Sequence, residues 1–375
     1  MPHPSSRRDF LARLAAGSAA LAAGLSSPAC ARTEPPPPPP GGRKLGVALV
    51  GLGYYSTDLL APALRETHLC RLAGIVTGTP AKAERWMRLH GIPASHVYNY
   101  DTMDRLAENP DIDIVYVVTP HGLHAEHTVR AARAGKHVIC EKPMALTVAD
   151  CDAMILACRE SGVKLQIGYR LHYHAGHQEL LRIGREKAFG LPLKMEGANG
   201  FRAWSKGWRM TQKLAGGGPL MDMGIYVVQA ACCIGGGAPL AVTAREEPKT
   251  RPDVFDEVEE TLRWTMEFAD GSSGEFMTSF NQDVGDFRAS GPQGRIELSP
   301  AFGYRGVRGR THQGRLDIPN INQQAAQMDA FAANILEDTP VIVPGEMGRR
   351  DMQIVTAIYE AARTGKRIEV SQSGI

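Results

Sequence analysis

The sequence predicts an α/β protein with two domains: a doubly wound parallel sheet over residues 44–167, then an α/β domain over residues 168–375 with a large, open, mainly antiparallel sheet. Two observations support this fold class. Short apolar runs alternate with helical stretches in the first half, which is typical of a parallel sheet covered by helices. After about Gly168, strand-like runs follow one another without helices between them, which indicates antiparallel pairing.

The elements of the first half alternate with short links. Leu45–Val50 is an apolar run of the buried parallel-strand type. A helix follows the next glycine-rich turn to about Glu66, and Pro80–His90 and His124–Ala134 are further helical stretches. The other predicted strands are Leu72–Thr77, Ile112–Thr119 and His137–Cys140.

In the second half, Asp270-Gly271 between two strand-like runs is a hairpin signal. The predicted strands are Lys194–Phe201, Leu240–Glu246, Glu259–Phe268, Gly274–Asn281 and Arg295–Ser299. Two helical runs, Gln323–Leu336 and Glu346–Thr364, close the chain.

The N-terminus has the three parts of a secretory signal. A paired arginine in Ser6–Leu11 precedes an apolar stretch of 12 residues, Leu14–Leu25, and a small-x-small cleavage site, Ala29–Ala31. Because a bilayer span needs about 20 apolar residues, no membrane anchor is expected. The arginine pair is typical of the twin-arginine route. The sequence therefore predicts a signal peptide over residues 1–31, recognised by the twin-arginine translocase, and a protein exported in folded form to the periplasm.

Residues 32–43 are predicted to form a proline-rich arm, because the six consecutive prolines Pro35–Pro40 make a stiff, extended segment. Two interpretations of the arm stay open. It is either a spacer behind the signal or an arm that packs on a neighbouring subunit. A homodimer or a larger homo-oligomer is expected.

Charge excludes one class of partner. The chain has a formal net charge of +2, and residues 1–31 carry three Arg and one Asp, so the mature chain is close to neutral (+2 minus +2). Without a basic surplus, nucleic acid is not an expected partner. The six Cys beyond the signal have no CxxC spacing and are expected to be buried small apolar residues.

The motif Gly51-x-Gly53-x-x-Ser56 follows a predicted strand and opens a predicted helix. In such a turn the first glycine makes the tight bend, and the second lets the backbone approach a pyrophosphate at the helix N-terminus. Ser56 replaces the third glycine with another small residue. The motif therefore predicts a dinucleotide-binding domain.

The end of the second predicted strand indicates which dinucleotide binds. An NAD site has an Asp or Glu there for the ribose hydroxyl. Here Thr77–Lys82 offers hydroxyls and a lysine, with Arg85 nearby and no carboxylate before Glu84. This pattern favours the 2′-phosphate of NADP(H), although Lys82 and Arg85 are alternatively solvated helix charges.

The chemistry-bearing residues lie in two further motifs. Glu141-Lys142-Pro143 stands at the carboxyl end of a predicted strand, where open α/β sheets bind ligands. Asp222 and Tyr226 follow a glycine-rich loop and are four residues apart, so they are expected on one helical face. A phenol is a poor base at neutral pH, and a nearby Lys ammonium would favour its phenolate. Lys142 and Tyr226 are therefore predicted to form an acid–base pair if the fold brings them together.

These motifs, from Gly51 through Glu141-Lys142-Pro143 to Tyr226, resemble the glucose–fructose oxidoreductase branch of the Gfo/Idh/MocA oxidoreductase superfamily. The resemblance extends over essentially the whole mature chain, to Ile358–Gly365. Many members have His where this chain has Tyr226, and Tyr226 together with Gly168–Arg170 narrows the resemblance to this branch.

The resemblance implies an NADP(H) enzyme that oxidises an aldose at C1 to a lactone and then reduces a second sugar, with a cofactor that stays bound. It implies that Lys142 lies near the C1 hydroxyl, that Tyr226 gives or takes the proton, and that Asp222 helps to hold the sugar. Arg170 and Tyr173 are predicted as further substrate contacts. The predicted cofactor contacts are Gly51, Leu52, Gly53, Tyr54, Tyr55, Thr77, Gly78, Thr79, Lys82, Tyr100, Thr119, Pro120, His121, His124, Glu141, Lys142, Arg170, Trp208 and Arg209.

Some features leave alternatives open. The stretches His174–His177 and Phe201–Lys206 depart from the fructose-using members, so the second sugar is unassigned. Clustered histidines at 121–127 and 172–177 lack the i, i+4 spacing of a helical zinc site, and no metal is predicted. The competing functions are a sugar dehydrogenase with an exchangeable cofactor, a nicotinamide-dependent glycoside hydrolase of the same superfamily, and a non-enzymatic sensor. Tyr226 argues against the hydrolase, and the joint presence of Lys142 and Asp222 argues against the sensor.

Overall fold

The computed structural model describes residues 42–372. The predicted signal peptide and nearly all of the predicted proline-rich arm lie outside the described residues.

The first domain is built on a parallel sheet whose strands are buried on both faces. Its strands are β1 (Leu45–Val50), β2 (Cys70–Val76), β3 (Val97–Tyr98), β4 (Ile114–Val117), β5 (His137–Cys140) and β6 (Leu165–Ile167). They lie in the order β3-β2-β1-β4-β5-β6, and all pairings are parallel. The strand order reverses between β1 and β4, and such switch points are where doubly wound sheets bind ligands.

Helices flank this sheet. The helix after β1 starts as a π-helical stretch, Tyr55–Leu60, and continues as an α-helix over Ala61–Glu66. The other helices are Pro80–His90, His124–Arg133 and Val148–Glu160. The last of these was not predicted.

The second domain carries a nine-stranded sheet. Its strands are β7 (Lys194–Gly200), β8 (Ala241–Glu246), β9 (Thr261–Glu267), β10 (Ser273–Ser279), β11 (Val284–Gly291), β12 (Gly294–Leu298), β13 (Gly309–Thr311), β14 (Gly314–Arg315) and β15 (Ile368–Glu369). Their order is β14-β13-β12-β11-β7-β10-β9-β8-β15, and neighbours are antiparallel except β7 and β10. The predicted fold class is confirmed. Strand β11 was missed because Phe287 is the one large apolar side chain on its buried side.

The helices of the second domain are Ala175–Glu186, Gln212–Ala215, Ile225–Gly235, Gln323–Leu336 and Gly345–Thr364. One stretch of the described chain, Gln212–Gly235, is long and apolar enough to cross a membrane, and 89% of its apolar window is buried inside the protein.

The helix Gln323–Leu336 joins the two domains. Its apolar residues Met328 and Phe331 pack into the core that contains β1. The Asp329 carboxylate accepts hydrogen bonds from the backbone N–H groups of His68 and Leu69, each at 2.8 Å. This helix therefore presents its N-terminal end to the carboxyl edge of the parallel sheet while it is fixed to the first domain.

Candidate active site

The loop after β1 leaves room for a ligand beside its backbone. Gly51 has φ +94°, and a Cβ at this position would come within 3.0 Å of the Val118 carbonyl oxygen. Ser56 is fully buried, and its hydroxyl donates to the Gly51 carbonyl at 2.6 Å. A Cβ at Gly53, by contrast, would meet no atom within 4 Å. The backbone at Gly53 is therefore open to a pyrophosphate, and Gly51 and Ser56 close the turn behind it.

The carboxyl end of β2 is open and basic. Gly78–Lys82 is exposed, and so is Arg85. Within residues 42–372 neither Lys82 nor Arg85 forms a salt bridge, so both cations are free to meet a phosphate. The ring of Tyr100 lies 3.0 Å from the Cβ position of Gly78 and stacks on His127 with a centroid distance of 5.1 Å. These residues fit a nucleotide with a 2′-phosphate.

Lys142 is fixed at the carboxyl end of β5 by Asp222. Its Nζ donates to Asp222 Oδ1 at 2.9 Å and to the Asp222 backbone carbonyl at 2.6 Å. Burial lowers the pKa of Lys142, but Asp222 and the neighbouring Tyr226 outweigh it and leave the pKa above its ordinary value. Lys142 is therefore an ammonium at neutral pH.

Asp222 is shared between two cations. Its second oxygen, Oδ2, accepts from Arg209 Nε at 2.8 Å. Burial raises the pKa of Asp222, but the charges of Lys142 and Arg209 hold it well below its usual range. The carboxylate thus stays ionised and orients Lys142. Behind Arg209, the Trp208 ring lies 4.5 Å from the guanidinium carbon and packs edge-on against His121.

Tyr226 lies beside the same ammonium. Lys142 Nζ is 4.8 Å from the centre of the Tyr226 ring, and the Arg170 guanidinium carbon is 5.0 Å from it. Asp222 belongs to a π-helical stretch, Leu220–Gly224, whereas Tyr226 belongs to the α-helix Ile225–Gly235. The structure therefore brings Lys142 and Tyr226, the predicted acid–base pair, together, with the ammonium over the ring of Tyr226.

Two predicted cofactor contacts, His121 and His124, brace the loops around the site. His121 Nδ1 lies 3.1 Å from the Ala215 carbonyl oxygen, and the two ring nitrogens of His124 lie 2.9 and 2.8 Å from the carbonyl oxygens of Pro143 and Thr119. Burial lowers the pKa of both histidines, to about 3 for His121 and about 4 for His124.

Glu141, which precedes Lys142, ends a buried hydrogen-bonded chain. The Tyr116 hydroxyl donates to Glu141 Oε1 at 2.6 Å and accepts from Gln327 Nε2 at 2.7 Å. Burial raises the pKa of Glu141. The side chain therefore links the lysine motif to the helix Gln323–Leu336.

The remaining predicted residues are distributed around this centre. Tyr54 is 64% exposed at the glycine loop, whereas Leu52, Thr77 and Thr119 are buried. Tyr173 is buried, and its hydroxyl donates to Gln166 at 2.6 Å, so its predicted substrate contact stays a prediction. Within residues 42–372, no three His, Cys, Asp or Glu side chains gather in an arrangement suited to a metal ion.

Sequence reasoning missed Glu259, which holds the loop before Asp222. Its carboxylate accepts from the backbone N–H groups of Gly218 and Leu220 at 2.8 and 3.1 Å, and from the Tyr359 hydroxyl at 2.9 Å. No local pattern in the sequence indicated this role, because Gly218, in the loop that Glu259 holds, lies 41 residues earlier in the chain.

Comparison with known families gives two matches. Residues 45–169 match the model described as an oxidoreductase family with an NAD-binding Rossmann fold. Residues 177–297 match the GFO/IDH/MocA C-terminal domain.

Individual relatives cover most of the chain. The solved structure of aldose–aldose oxidoreductase from Caulobacter crescentus, complexed with glycerol, is 42% identical, has a TM-score of 0.84 and covers 87% of this chain and 100% of its own. The D-xylose 1-dehydrogenase [NADP(+)] of Haloarcula marismortui is 26% identical over 86% of this chain and 92% of its own length. The D-glucoside 3-dehydrogenase of Escherichia coli K12 is 28% identical over 87% and 97%.

Proposed function

Because the chain belongs to the Gfo/Idh/MocA oxidoreductase family, as its motifs indicated, we propose that it is an NADP(H)-dependent sugar oxidoreductase. It oxidises an aldose at C1 to the aldonolactone and reduces a second sugar carbonyl to an alditol, with a cofactor that stays bound between the two steps. The observation that carries the proposal is the placement of Lys142 between Asp222 and Tyr226 at the carboxyl end of β5, in a sheet of the dinucleotide-binding type.

Two relatives support the substrate class and the nucleotide. The 42% identical neighbour is named an aldose–aldose oxidoreductase, and the xylose dehydrogenase is named for NADP(+). The free cations Lys82 and Arg85 beside Gly78 support a 2′-phosphate.

The residues fit the cofactor without rearrangement of the glycine loop. Gly51–Tyr55 would receive the pyrophosphate, and Thr77–Lys82 with Tyr100 would receive the phosphorylated ribose and adenine end. When bound, NADP(H) supplies the acceptor and donor of hydride.

The proton chemistry belongs to Lys142 and Tyr226. In the oxidation, the Lys142 ammonium donates a hydrogen bond to the C1 oxygen and stabilises negative charge on it. Tyr226 accepts the C1 hydroxyl proton and returns a proton to the second sugar's oxygen in the reduction. The two half-reactions together release no proton and no hydride. Asp222 stays ionised throughout because both of its oxygens are bound by cations.

Location and assembly are proposed from the sequence and the open sheet. Export by the twin-arginine translocase rests on residues 1–31, and N-terminal sequencing of the periplasmic protein tests it. A homodimer or larger homo-oligomer would cover the outward face of the nine-stranded sheet, and sedimentation of the purified protein tests that.

One experiment separates the reaction alternatives. The purified full chain is passed through gel filtration, and the nucleotide of one portion is released by denaturation and identified. A second, native portion is incubated with single aldoses, paired aldoses or a glycoside, first without and then with added NADP(+). We expect NADP(H) near one per chain, with lactone and alditol formed in equal amounts.

The alternatives give different results. A protein free of nucleotide that works with added NADP(+) would indicate a dehydrogenase with an exchangeable cofactor. Release of a monosaccharide from a glycoside would indicate a hydrolase. No turnover under any of these conditions would contradict the proposed enzyme.

A further inference from the structure

A tyrosine of the second domain reaches the dinucleotide loop of the first. Tyr304 lies in the loop between β12 and β13, and 38% of its surface is exposed. Its ring centre is 6.0 Å from that of Tyr55, at an interplanar angle of 43°. Tyr55 lies two residues after Gly53 and begins the helical stretch that follows the loop that fits a pyrophosphate. The two rings therefore connect the domains beside the nucleotide loop.

Arg170 contacts both the ring of Tyr304 and the backbone of the loop between β12 and β13 that carries it. It is 2% exposed, and its guanidinium carbon lies 4.3 Å from the Tyr304 ring centre. Its Nη1 donates to the Gly303 carbonyl at 3.1 Å, and its Nη2 donates to the Phe302 carbonyl at 2.7 Å. The backbone just before Tyr304 is thus fixed to a buried cation.

The N-terminal end of the helix Gln323–Leu336 fixes both rings. The Gln323 amide donates to the carbonyl oxygens of Gly303 and Tyr304, each at 3.1 Å. The next residue, Gln324, donates to the Tyr55 hydroxyl at 3.4 Å. Both glutamines are buried, although they lie in a helix that is otherwise mostly apolar. Adjacent residues of one helix therefore set the distance between Tyr55 and Tyr304.

We propose that Tyr55 and Tyr304 form a tyrosine clasp that slows the release of NADP(H). The proposal rests on the proposed function, because it concerns how the same site retains its nucleotide. Opening of the cleft beside the glycine loop requires separation of the two rings, and aromatic pairs of this geometry attract each other beyond their buried area. The contacts of Tyr304 with Tyr55 and Arg170 are made by its ring, so the effect is assigned to the ring rather than to the hydroxyl.

Release rates of the nucleotide test the clasp without reliance on turnover. The full chain is loaded with NADPH and chased with excess NADP(+) in the absence of sugar, and the loss of NADPH fluorescence is followed. For Tyr304→Ala we expect release that is roughly tenfold faster than in the wild type. Tyr304→Phe keeps the ring and should release at the wild-type rate. Trp204→Ala removes another exposed aromatic, whose ring contact is with Arg202, and should also leave the rate unchanged.

A double-mutant cycle identifies the partner ring. If Tyr55 and Tyr304 act through their contact, the Tyr55→Leu and Tyr304→Ala double variant should release no faster than the more severe single variant. Release by Tyr304→Ala at the wild-type rate, or equal acceleration in Tyr304→Phe and Tyr304→Ala, would overturn the proposal. Circular dichroism of each variant shows whether accelerated release is accompanied by unfolding, which would also count against the clasp.

The release measurements distinguish a failure of the tyrosine clasp from a failure of the proposed function. If the wild type loses its nucleotide in gel filtration, the retained cofactor is contradicted, yet the ratio of release rates still decides the clasp. If Tyr304→Ala releases nucleotide at the wild-type rate while paired sugars are still interconverted, the proposed function stands and the clasp fails.

Discussion

At the residue scale, the site depends on how one ammonium is held. Lys142 contacts a carboxylate oxygen and a backbone carbonyl of Asp222, and it also faces the ring of Tyr226. Asp222 is in turn held by Arg209. A largely buried cation with one carboxylate partner and one carbonyl partner keeps a fixed position, and a fixed donor is what stabilisation of an oxyanion requires.

Loss of either proposed catalytic side chain should therefore lower turnover. Lys142→Ala removes the oxyanion donor, and Tyr226→Phe removes the proton donor and acceptor, so we expect kcat to fall roughly 10²–10⁴-fold in each. The measurement is steady-state kinetics with an aldose pair, with bound nucleotide quantified in parallel. Tyr98→Phe is the matched control, since the Tyr98 hydroxyl accepts from Asn109 at 3.0 Å and Tyr98 is not among the predicted contacts, and it should keep kcat within a few-fold of the wild type. Wild-type turnover in Tyr226→Phe would refute the role of Tyr226.

The proposed catalytic residues were accessible to sequence reasoning because each has a fixed local position. Lys142 follows a strand, and Asp222 and Tyr226 follow a glycine-rich loop. Glu259 was not accessible, because its role depends on a contact with Gly218, 41 residues away. Gln323 acts on Arg170 across 153 residues. Contacts of this kind depend on the packing of the two domains, which no local pattern encodes.

At the element scale, the two glycines of the nucleotide loop have different physical roles. Gly51 is constrained by its own backbone, because it combines positive φ with a close carbonyl. Gly53 is unconstrained by the protein, because nothing lies within 4 Å of its Cβ position. The sequence motif contains both glycines, but it does not indicate that Gly51 is needed for the fold of the loop and Gly53 for nucleotide binding.

The alanine variants of these glycines should separate stability from nucleotide affinity. Gly51→Ala places a side chain at φ +94° against a backbone oxygen, which should cost about 1–3 kcal/mol of unfolding free energy. Gly53→Ala should unfold like the wild type but bind NADPH at least tenfold more weakly, because its methyl group occupies the place of the pyrophosphate. Denaturant unfolding and fluorescence titration measure the two effects. Equal affinity in Gly53→Ala and wild type would place the pyrophosphate elsewhere.

The helix Gln323–Leu336 also combines residues that determine the fold with residues that serve the site, and its bounds were predicted correctly. Its apolar periodicity identifies a helix, but its three buried glutamines at 323, 324 and 327 give the more specific information. Glutamine is costly to bury without partners, so buried glutamines indicate polar groups on the facing surface. The partners themselves, Arg170, Tyr55 and Tyr116, became evident from the structure alone.

At the scale of the whole molecule, the architecture could be predicted because the pattern of its strands is repeated many times. The four strands predicted for the first sheet, β1, β2, β4 and β5, are mostly apolar, and a helix follows each of them. The edges of the second sheet were less accessible: β13, β14 and β15 have two or three residues each. Strands this short are defined by their neighbours rather than by their own sequence.

Stability against acid also belongs to the whole molecule, because several buried histidines contribute to it. Burial lowers the pKa of His121 and His177 to about 3 and that of His174 to about 4, from an ordinary value of 6.5. Their stabilising contribution is thus complete above about pH 6.5 and is lost as pH falls towards the folded-state values. Burial raises the pKa of Glu141 and Glu259, and these carboxyls act in the opposite direction.

We therefore expect the unfolding free energy to fall between pH 6.5 and pH 5.5, by about 1 kcal/mol for each of these histidines before the carboxyls offset part of it. Denaturant unfolding at the two pH values measures the loss. In His177→Gln the amide can still donate to the Ala301 carbonyl that His177 Nε2 contacts at 2.9 Å, so this variant should lose about 1 kcal/mol less over the same interval. His68→Gln, at an exposed position, should behave like the wild type. An unfolding free energy that is flat or rising from pH 6.5 to pH 5.5, together with identical profiles for His177→Gln and wild type, would mean that the buried imidazoles become protonated in the folded protein.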